Sequence, residues 1–358
     1  MANNTLAYGF VQWSHLAAER VATVGFERVW TMIQESADEH TRQINALMAS
    51  LVERTTLYKE RYMLPGSGTL QPLDENGNPR PVRPSGYMDV AYPIQGGGTA
   101  WGDNRVSRAK LTVDEANRNT LDALRKDADW VRRHIFSALF YGASWTYTDP
   151  LYGSLTIECL ADNGAGELYP KAGVDAAVDN HLMAQAAAID NSNDPFDDIY
   201  DELTEHPSNA GGPVVVYIPT NLKASVEALT SFVEVVDPDL RVGSATEVIG
   251  ASFDRGFGDE VLGKSHKCWI VEWKALPDSY MFAHAQGGGP VLKVREHEES
   301  ELQGFFAEGF DTDGNFKGTR MIRYAGFGVA NRIAAVAYYV GAGSYTAPTD
   351  YDSAPLPV

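Results

Sequence analysis

Between Tyr62 and Lys110 lie six prolines (Pro65, Pro72, Pro79, Pro81, Pro84 and Pro93) and the run Gly96-Gly97-Gly98. Proline lacks the backbone donor and clashes with the preceding turn, so no long helix runs through this segment. In its middle, "DENGNP" carries Asn76-Gly77, a strong short-range hairpin signal. Leu70, Leu73, Val82, Tyr87 and Val90 can extend on either side. They are few for so long a stretch. Ordering the backbone costs about 1–2 kcal/mol per residue, which the segment does not recover from its own contacts. It reads as a hairpin-like arm that another surface must hold down.

The flanks have a different texture. Residues 14 to 60 read as helix interrupted near Gly25, with Val29, Met32, Ile33, Ile44, Met48, Leu51 and Val52 as an apolar stripe. No heptad is sustained, which argues against a coiled coil. Residues 113 to 141 give the clearest helix. Thr112 caps it, Glu115 completes a capping box and Gly142 ends it. At 1.5 Å per residue it spans about 43 Å, long for a globular helix. Residues 143 to 170 alternate as strands, and 172 to 206 read as helical and acidic with a loop at Asn191 to Pro195. A buried strand at 211 to 222 runs into a helix at 221 to 231, and 266 to 273 and 279 to 285 are core strands. A strand at 290 to 298, a hairpin turn at Asp313-Gly314-Asn315 and the apolar run "GTRMIRYAGFGVANRIAAVAYYVG" (318 to 341) follow. The last dozen residues read as a loose tail.

At 358 residues, 44% hydrophobic and 22% charged, the chain has the composition of a folded protein with one large or two ordinary domains. No apolar window approaches about 18 residues, so no membrane span is expected. The first residues lack a basic and then apolar signal. Cys159 and Cys268 form neither a disulfide framework nor a metal motif, which suggests cytosolic synthesis. The formal charge of −19 argues against a surface that grips nucleic acid.

Motifs that imitate chemistry fail on context. Gly326-Phe327-Gly328 lacks the third glycine, Asn331 standing there, and no helix is expected to follow and face a pyrophosphate. The glycine runs at 96 to 98 and 287 to 289 lack the ending of a phosphate loop. "DTDGN" (311 to 315) misplaces the glycine of a calcium loop. In "REHEES" (295 to 300), His297 points away from its direct neighbours on a strand, so a solvated strand end is expected. Ser144 and Ser252 lack the closing glycine of a nucleophile elbow. Asp194, Asp197, Asp198, Asp201 and Glu202 read as a solvated helix face. None of the eight histidines has a catalytic spacing. No catalytic, cofactor-binding or metal-binding residue is expected.

The order of elements, from helical arm through extended hairpin, long helix and α/β core to late long strands, resembles the major capsid protein of tailed bacteriophages, the HK97-like fold. The sharpest local likeness is "VLGKSHKCWIVEWKALPDSYMFAHAQGGGPVLKVREHEESELQGF" followed by "GTRMIRYAGFGVANRIAAVAYYVGAG". The resemblance implies an α+β fold with an N-terminal arm at 1–59, an extension loop at 60–112 and a spine helix with strands of a peripheral domain at 113–165. An axial domain at 166–284, peripheral strands at 285–335 and an axial return with the tail at 336–358 complete it. It also implies a structural protein, not an enzyme, that self-assembles into hexamers and pentamers of an icosahedral virion shell around double-stranded DNA, after synthesis in a bacterial cytoplasm. Subunit contacts are then expected at Arg80, Arg83, Tyr87, Trp101, Arg105, Arg320, Arg323 and Arg332. The run at 318 to 341, taken as about twenty strand residues, would reach roughly 60 Å, suited to the arm of a flat subunit, with Gly326 and Gly328 letting it bend.

Some relatives carry a large helical scaffold before the arm. Only about sixty residues precede the loop in this sequence, so a separate scaffolding protein is expected, with a portal and a decoration protein as further partners and no membrane. No lysine occurs between Lys59 and Lys110, which removes the nucleophile for an isopeptide link between subunits. Deleting Gly66 to Gly98 is expected to leave a folded core. An encapsulin-like compartment shell is an alternative of the same fold, and an α/β enzyme is one of a different class.

Overall fold

The computed structural model describes residues 20–63, 73–78, 87–104, 110–162, 166–234, 241–242, 247–248, 258–312 and 316–351. The first elements are α1 (Val21–Val24), α2 (Phe26–Met48), β1 (Val52–Thr55), β2 (Lys59–Met63), β3 (Tyr87–Ala91), β4 (Gln95–Asn104) and α3 (Val113–Phe140). Next come β5 (Trp145–Asp149), β6 (Gly153–Ile157), β7 (Tyr169–Lys171), β8 (Val174–Ala177), β9 (Leu182–Gln185), α4 (Phe196–Thr204), β10 (Val214–Ile218) and α5 (Thr220–Glu227). Short strands β11 (Phe232–Glu234), β12 (Arg241–Val242) and β13 (Glu247–Val248) precede β14 (Glu260–Ser265), β15 (Cys268–Glu272) and β16 (Tyr280–Ala285). The chain closes with β17 (Leu292–Glu296), β18 (Phe305–Thr312), β19 (Phe316–Val329) and β20 (Ala335–Val340).

The helix signals hold where local chemistry decides. Gly25 has φ 106°, outside helical geometry, and separates α1 from α2. Thr112 accepts from the Glu115 backbone while the Glu115 carboxylate accepts from the Thr112 backbone, at 3.2 and 3.1 Å. Helix does not continue to residue 60. Val52 pairs in parallel with Leu292, and β1 becomes the edge of a sheet. The helix expected over 172 to 206 shrinks to α4, because β9 pairs in parallel with β20 and β7 pairs with β8. An alanine-rich sequence there yields to ladder partners that no local signal reveals.

Two sheets organise the fold. One has β19 at its centre, with β4 along one edge and β17 followed by β18 along the other. Ala325 is opposite Gln95 on one side and Glu296 on the other. The second sheet has the order β11-β14-β15-β10-β16-β20-β9. Every residue of β10, β15 and β16 is buried, as continuous apolar runs require when both faces are covered. One face packs on α4 and α5, burying Phe196, Ile199 and Val226. The C-terminal half of α3 covers the other through Val131, Ile135, Phe136, Leu139 and Phe140. Its N-terminal half joins α2 and the first sheet, with Val113, Ala116 and Ala123 against Ile33, Phe305 and Met321. The long helix thus spans both layers.

The run at 318 to 341 is not one strand. Ladder pairing ends at Val329, and β20 starts at Ala335 in the other sheet. Gly326 and Gly328 admit a close neighbour instead of a bend: a Cβ at Gly326 would lie 2.2 Å from the Pro93 carbonyl, and one at Gly328 2.9 Å from the Tyr92 ring. The same contact corrects the expected deletion. Val90 and Tyr92 are fully buried, and β4 forms a ten-residue ladder with β19, so the segment from Val90 onward belongs to the core. Asp313 to Asn315 lie outside the described residues, although Thr312 opposite Phe316 fits a hairpin. The glycine pair 326 and 328 sits inside a strand with no helix after it. Cys159 and Cys268 are free thiols. Among the described residues no helix is long and apolar enough to cross a membrane.

Candidate functional site

The arm begins as a two-stranded ribbon, with Lys59 opposite Ala91 and Met63 opposite Tyr87. Asp89 accepts from Arg61 at 2.6 and 2.9 Å and lies 2.6 Å from Lys59 Nζ. Hydrogen bonds from Arg61 and Lys59 hold its carboxyl well below the usual range. The Arg61 guanidinium stacks 3.9 Å from the centroid of the Tyr87 ring. Farther out, Asp74 Oδ1 accepts from the backbones of Asn76 and Asn78 at 2.9 and 2.7 Å, and Gly77 takes φ 79°. This is the turn that Asn76-Gly77 signalled.

The root of the ribbon is fastened to the first sheet. Lys293 Nζ donates to both Glu60 oxygens at 2.9 Å, and Arg295 donates to the Tyr92 carbonyl at 3.1 Å. Arg295 also pairs at 3.0 Å with Asp149, whose carboxylate accepts from the backbones of Ile94, Leu151 and Tyr152. Beside the root, Tyr58 stacks on Tyr152 with centroids 4.0 Å apart. Leu57 and Leu151 stand exposed next to them in sequence, at 55% and 74%. Two exposed apolar side chains therefore flank the root of the ribbon.

The expected contact residues divide. Arg80, Arg83 and Arg105 lie outside the described residues. Tyr87 is exposed at 60%. Trp101, opposite Thr319, packs half-buried on the α2 and α3 cluster. Arg320 is exposed and pairs across the ladder with Glu308 at 2.7 Å. Arg323 and Arg332 are buried in the subunit itself. Arg323 pairs with Asp127 of α3. Arg332, where the chain crosses between the sheets, donates to the carbonyls of Cys159 and Leu160 at 2.7 and 3.3 Å and pairs with Glu167.

One polar cluster has no counterpart in the sequence reading. Asp179, His181 and His206, all buried, gather with Glu202 and Glu205 between the β7–β8 hairpin and the end of α4. Glu202 is therefore not simply part of a solvated face: burial and the neighbouring Asp179 carboxylate raise its pKa to about 8. The two histidines are far apart in sequence, and no fixed motif spacing joins them.

No family model and no curated protein matches the sequence. Solved structures do. The chain matches a structure described as Mycobacterium phage Patience with TM-score 0.66 and 17% identity, over 98% of this chain and 94% of that one. It matches the asymmetric unit of the bacteriophage PhiM1 mature capsid with TM-score 0.47 and 8% identity, over 82% and 86%. A virus-like particle from Pyrococcus furiosus matches with TM-score 0.41 and 13% identity, over 86% and 98%. Along nearly its whole length this fold resembles that of a mycobacteriophage structure.

Proposed function

We propose that this chain is the major capsid protein of a tailed phage, with the HK97-like arrangement, and that its activity is self-assembly into hexamers and pentamers of an icosahedral head around double-stranded DNA. The observation that carries the reading is the fold shared along nearly the whole chain with the Mycobacterium phage Patience structure. In this reading the first sheet with α3 is the peripheral domain, and the seven-stranded sheet with α4 and α5 is the axial domain. The ribbon from Lys59 to Ala91 is the root of the extension loop. Tyr87, Arg320 and the apolar group around Tyr58 and Tyr152 face neighbouring subunits. Arg323 and Arg332 act inside each subunit.

A formal charge of −19 suits a wall that encloses DNA without holding it tightly. A separate scaffolding protein guides assembly, and portal and decoration proteins complete the head. Light scattering and negative-stain imaging of the purified chain, alone and with its scaffold, test this. Capsomers or closed shells are expected. A chain that stays monomeric at high concentration under both conditions would overturn the reading.

A further inference from the structure

We infer that Asp179, His181 and His206 form a binding site for a first-row divalent metal ion, with zinc the ion they suit. The inference does not depend on the assembly reading. It rests on where the hydrogens must be. Nδ1 of His181 lies 2.8 Å from the Ala335 carbonyl, and Nδ1 of His206 lies 2.8 Å from the Pro170 carbonyl. A carbonyl only accepts, so each Nδ1 carries the hydrogen and each neutral ring presents a bare Nε2.

Those two Nε2 atoms face each other at 3.1 Å. Asp179 Oδ2 lies 2.7 Å from His206 Nε2 and 3.4 Å from His181 Nε2. Three lone-pair donors therefore converge in a dry place. Asp179 is only 2% exposed, and its Oδ2 has no hydrogen-bond partner. Such a gathering is unfavourable unless a positive charge sits in it. Tetrahedral ligands about 2.0–2.2 Å from one zinc ion lie roughly 3.3–3.6 Å from each other, so the 2.7 and 3.1 Å separations open by a few tenths of an ångström or more when the ion enters. Both rings donate their second nitrogen to a backbone carbonyl, the arrangement that fixes ligating histidines.

The surroundings complete the site. Glu205 Oε1 lies 4.0 Å from His206 Nε2. Lys171 approaches from the side, 3.1 Å from Asp179 Oδ1 and 2.5 Å from Glu205 Oε1. It pairs with Oδ1 of Asp179 and leaves Oδ2 facing the rings. Glu202 and Glu205 also line an open cleft with Asp198 and Asp201. Two imidazoles select against calcium and magnesium. The bound ion would tie the end of α4 to the segment entering β9, and through Ala335 to β20. Metal binding then adds directly to folding stability.

The test uses the untagged full-length chain expressed in zinc-supplemented and zinc-depleted media. After gel filtration in dilute chelator, elemental analysis should find about one zinc per chain from the first medium, with a higher thermal midpoint than the zinc-depleted protein. His206→Ala should lose the metal. His266→Ala, at a half-exposed pairing with Asp194, should keep it. Should His206→Ala fail to fold, cobalt added to the zinc-depleted native chain decides instead, by visible absorption distinct from the aqueous ion. No retained zinc with equal midpoints would overturn the site and leave a shared proton between the rings. So would retention lost in His266→Ala alone, or a cobalt spectrum like that of the free ion.

Discussion

Arg323 of β19 holds the Asp127 carboxylate of α3 through two parallel hydrogen bonds of 2.6 and 2.7 Å, and His40 of α2 approaches the same carboxylate at 2.9 Å. Three elements that meet nowhere in sequence are joined at one buried charge. Burial alone would raise the pKa of Asp127, but the bonds from His40 and Arg323 outweigh it and hold the group below its usual range. Arg323→Met should leave that carboxylate buried with His40 alone beside it, costing about 3–5 kcal/mol. Arg323→Met with Asp127→Leu should recover much of the loss. Urea unfolding of the single and double variants measures both, and a single variant as stable as the native chain would refute the pairing.

His134 makes stability depend on pH. It is buried between Trp130 and Gln95, its nitrogens 2.8 Å from the Trp130 carbonyl and from Gln95 Oε1. Burial pushes its pKa down to about 4. The unfolded chain, with an ordinary value of about 6.5, binds this proton more readily. The contribution is therefore fully present above about pH 6.5 and is lost as pH falls towards 4, by at most about 3 kcal/mol. Thermal midpoints across this window should fall less steeply in His134→Gln, the difference isolating this group from the carboxylates. Parallel profiles would show that His134 takes no part.

Gly326→Ala should be costly out of proportion to its size. Its Cβ would meet the Pro93 carbonyl at 2.2 Å, and backbone cannot swing aside. Overpacking of this kind costs roughly 1–3 kcal/mol. Gly343→Ala, with nothing within 4 Å of the added carbon, is the matched control and should be near neutral. Denaturant midpoints of the two variants make the comparison.

Replacing residues 64 to 86 by a short glycine-serine turn should leave the core intact. Met63 and Tyr87 are already opposite each other in the ribbon and need only be rejoined. The circular dichroism spectrum and thermal midpoint should stay close to native. Negative-stain images should then show no closed shells, the outcome expected of the proposed assembly role of this segment. Shells formed without it would remove the arm from assembly.

Mature particles should be held by non-covalent contacts alone. Lys59, at the root of the arm, is engaged with Asp89 at 2.6 Å, and no lysine follows until Lys110. The intervening arginines stay protonated and cannot attack an amide. A denaturing gel of boiled, reduced particles should give one band at 39.1 kDa. A ladder of multimers would refute it.

Much of this protein is written locally. Gly25 breaks the first helix, Thr112 and Glu115 start the long one, and the apolar runs at β10, β15 and β16 declare buried strands, because each signal acts within a few residues. Asn76-Gly77 likewise marks the turn that Asp74 closes, with Gly77 at φ 79°. What the sequence leaves open depends on partners far along the chain. The run at 318 to 341 is apolar throughout, so nothing local marks where it leaves one sheet at Val329 and enters the other at Ala335. The stretch from 172 to 206 is divided by the edge of β20, which lies over 130 residues away. Arg323 and Arg332 read as surface charges until Asp127 and Glu167 arrive beside them. Asp179, His181 and His206 carry no recognisable spacing, and only the packing of α4 against the β7–β8 hairpin turns their lone pairs towards one point. Backbone preference is a short-range property, whereas burial and charge pairing belong to the assembled chain.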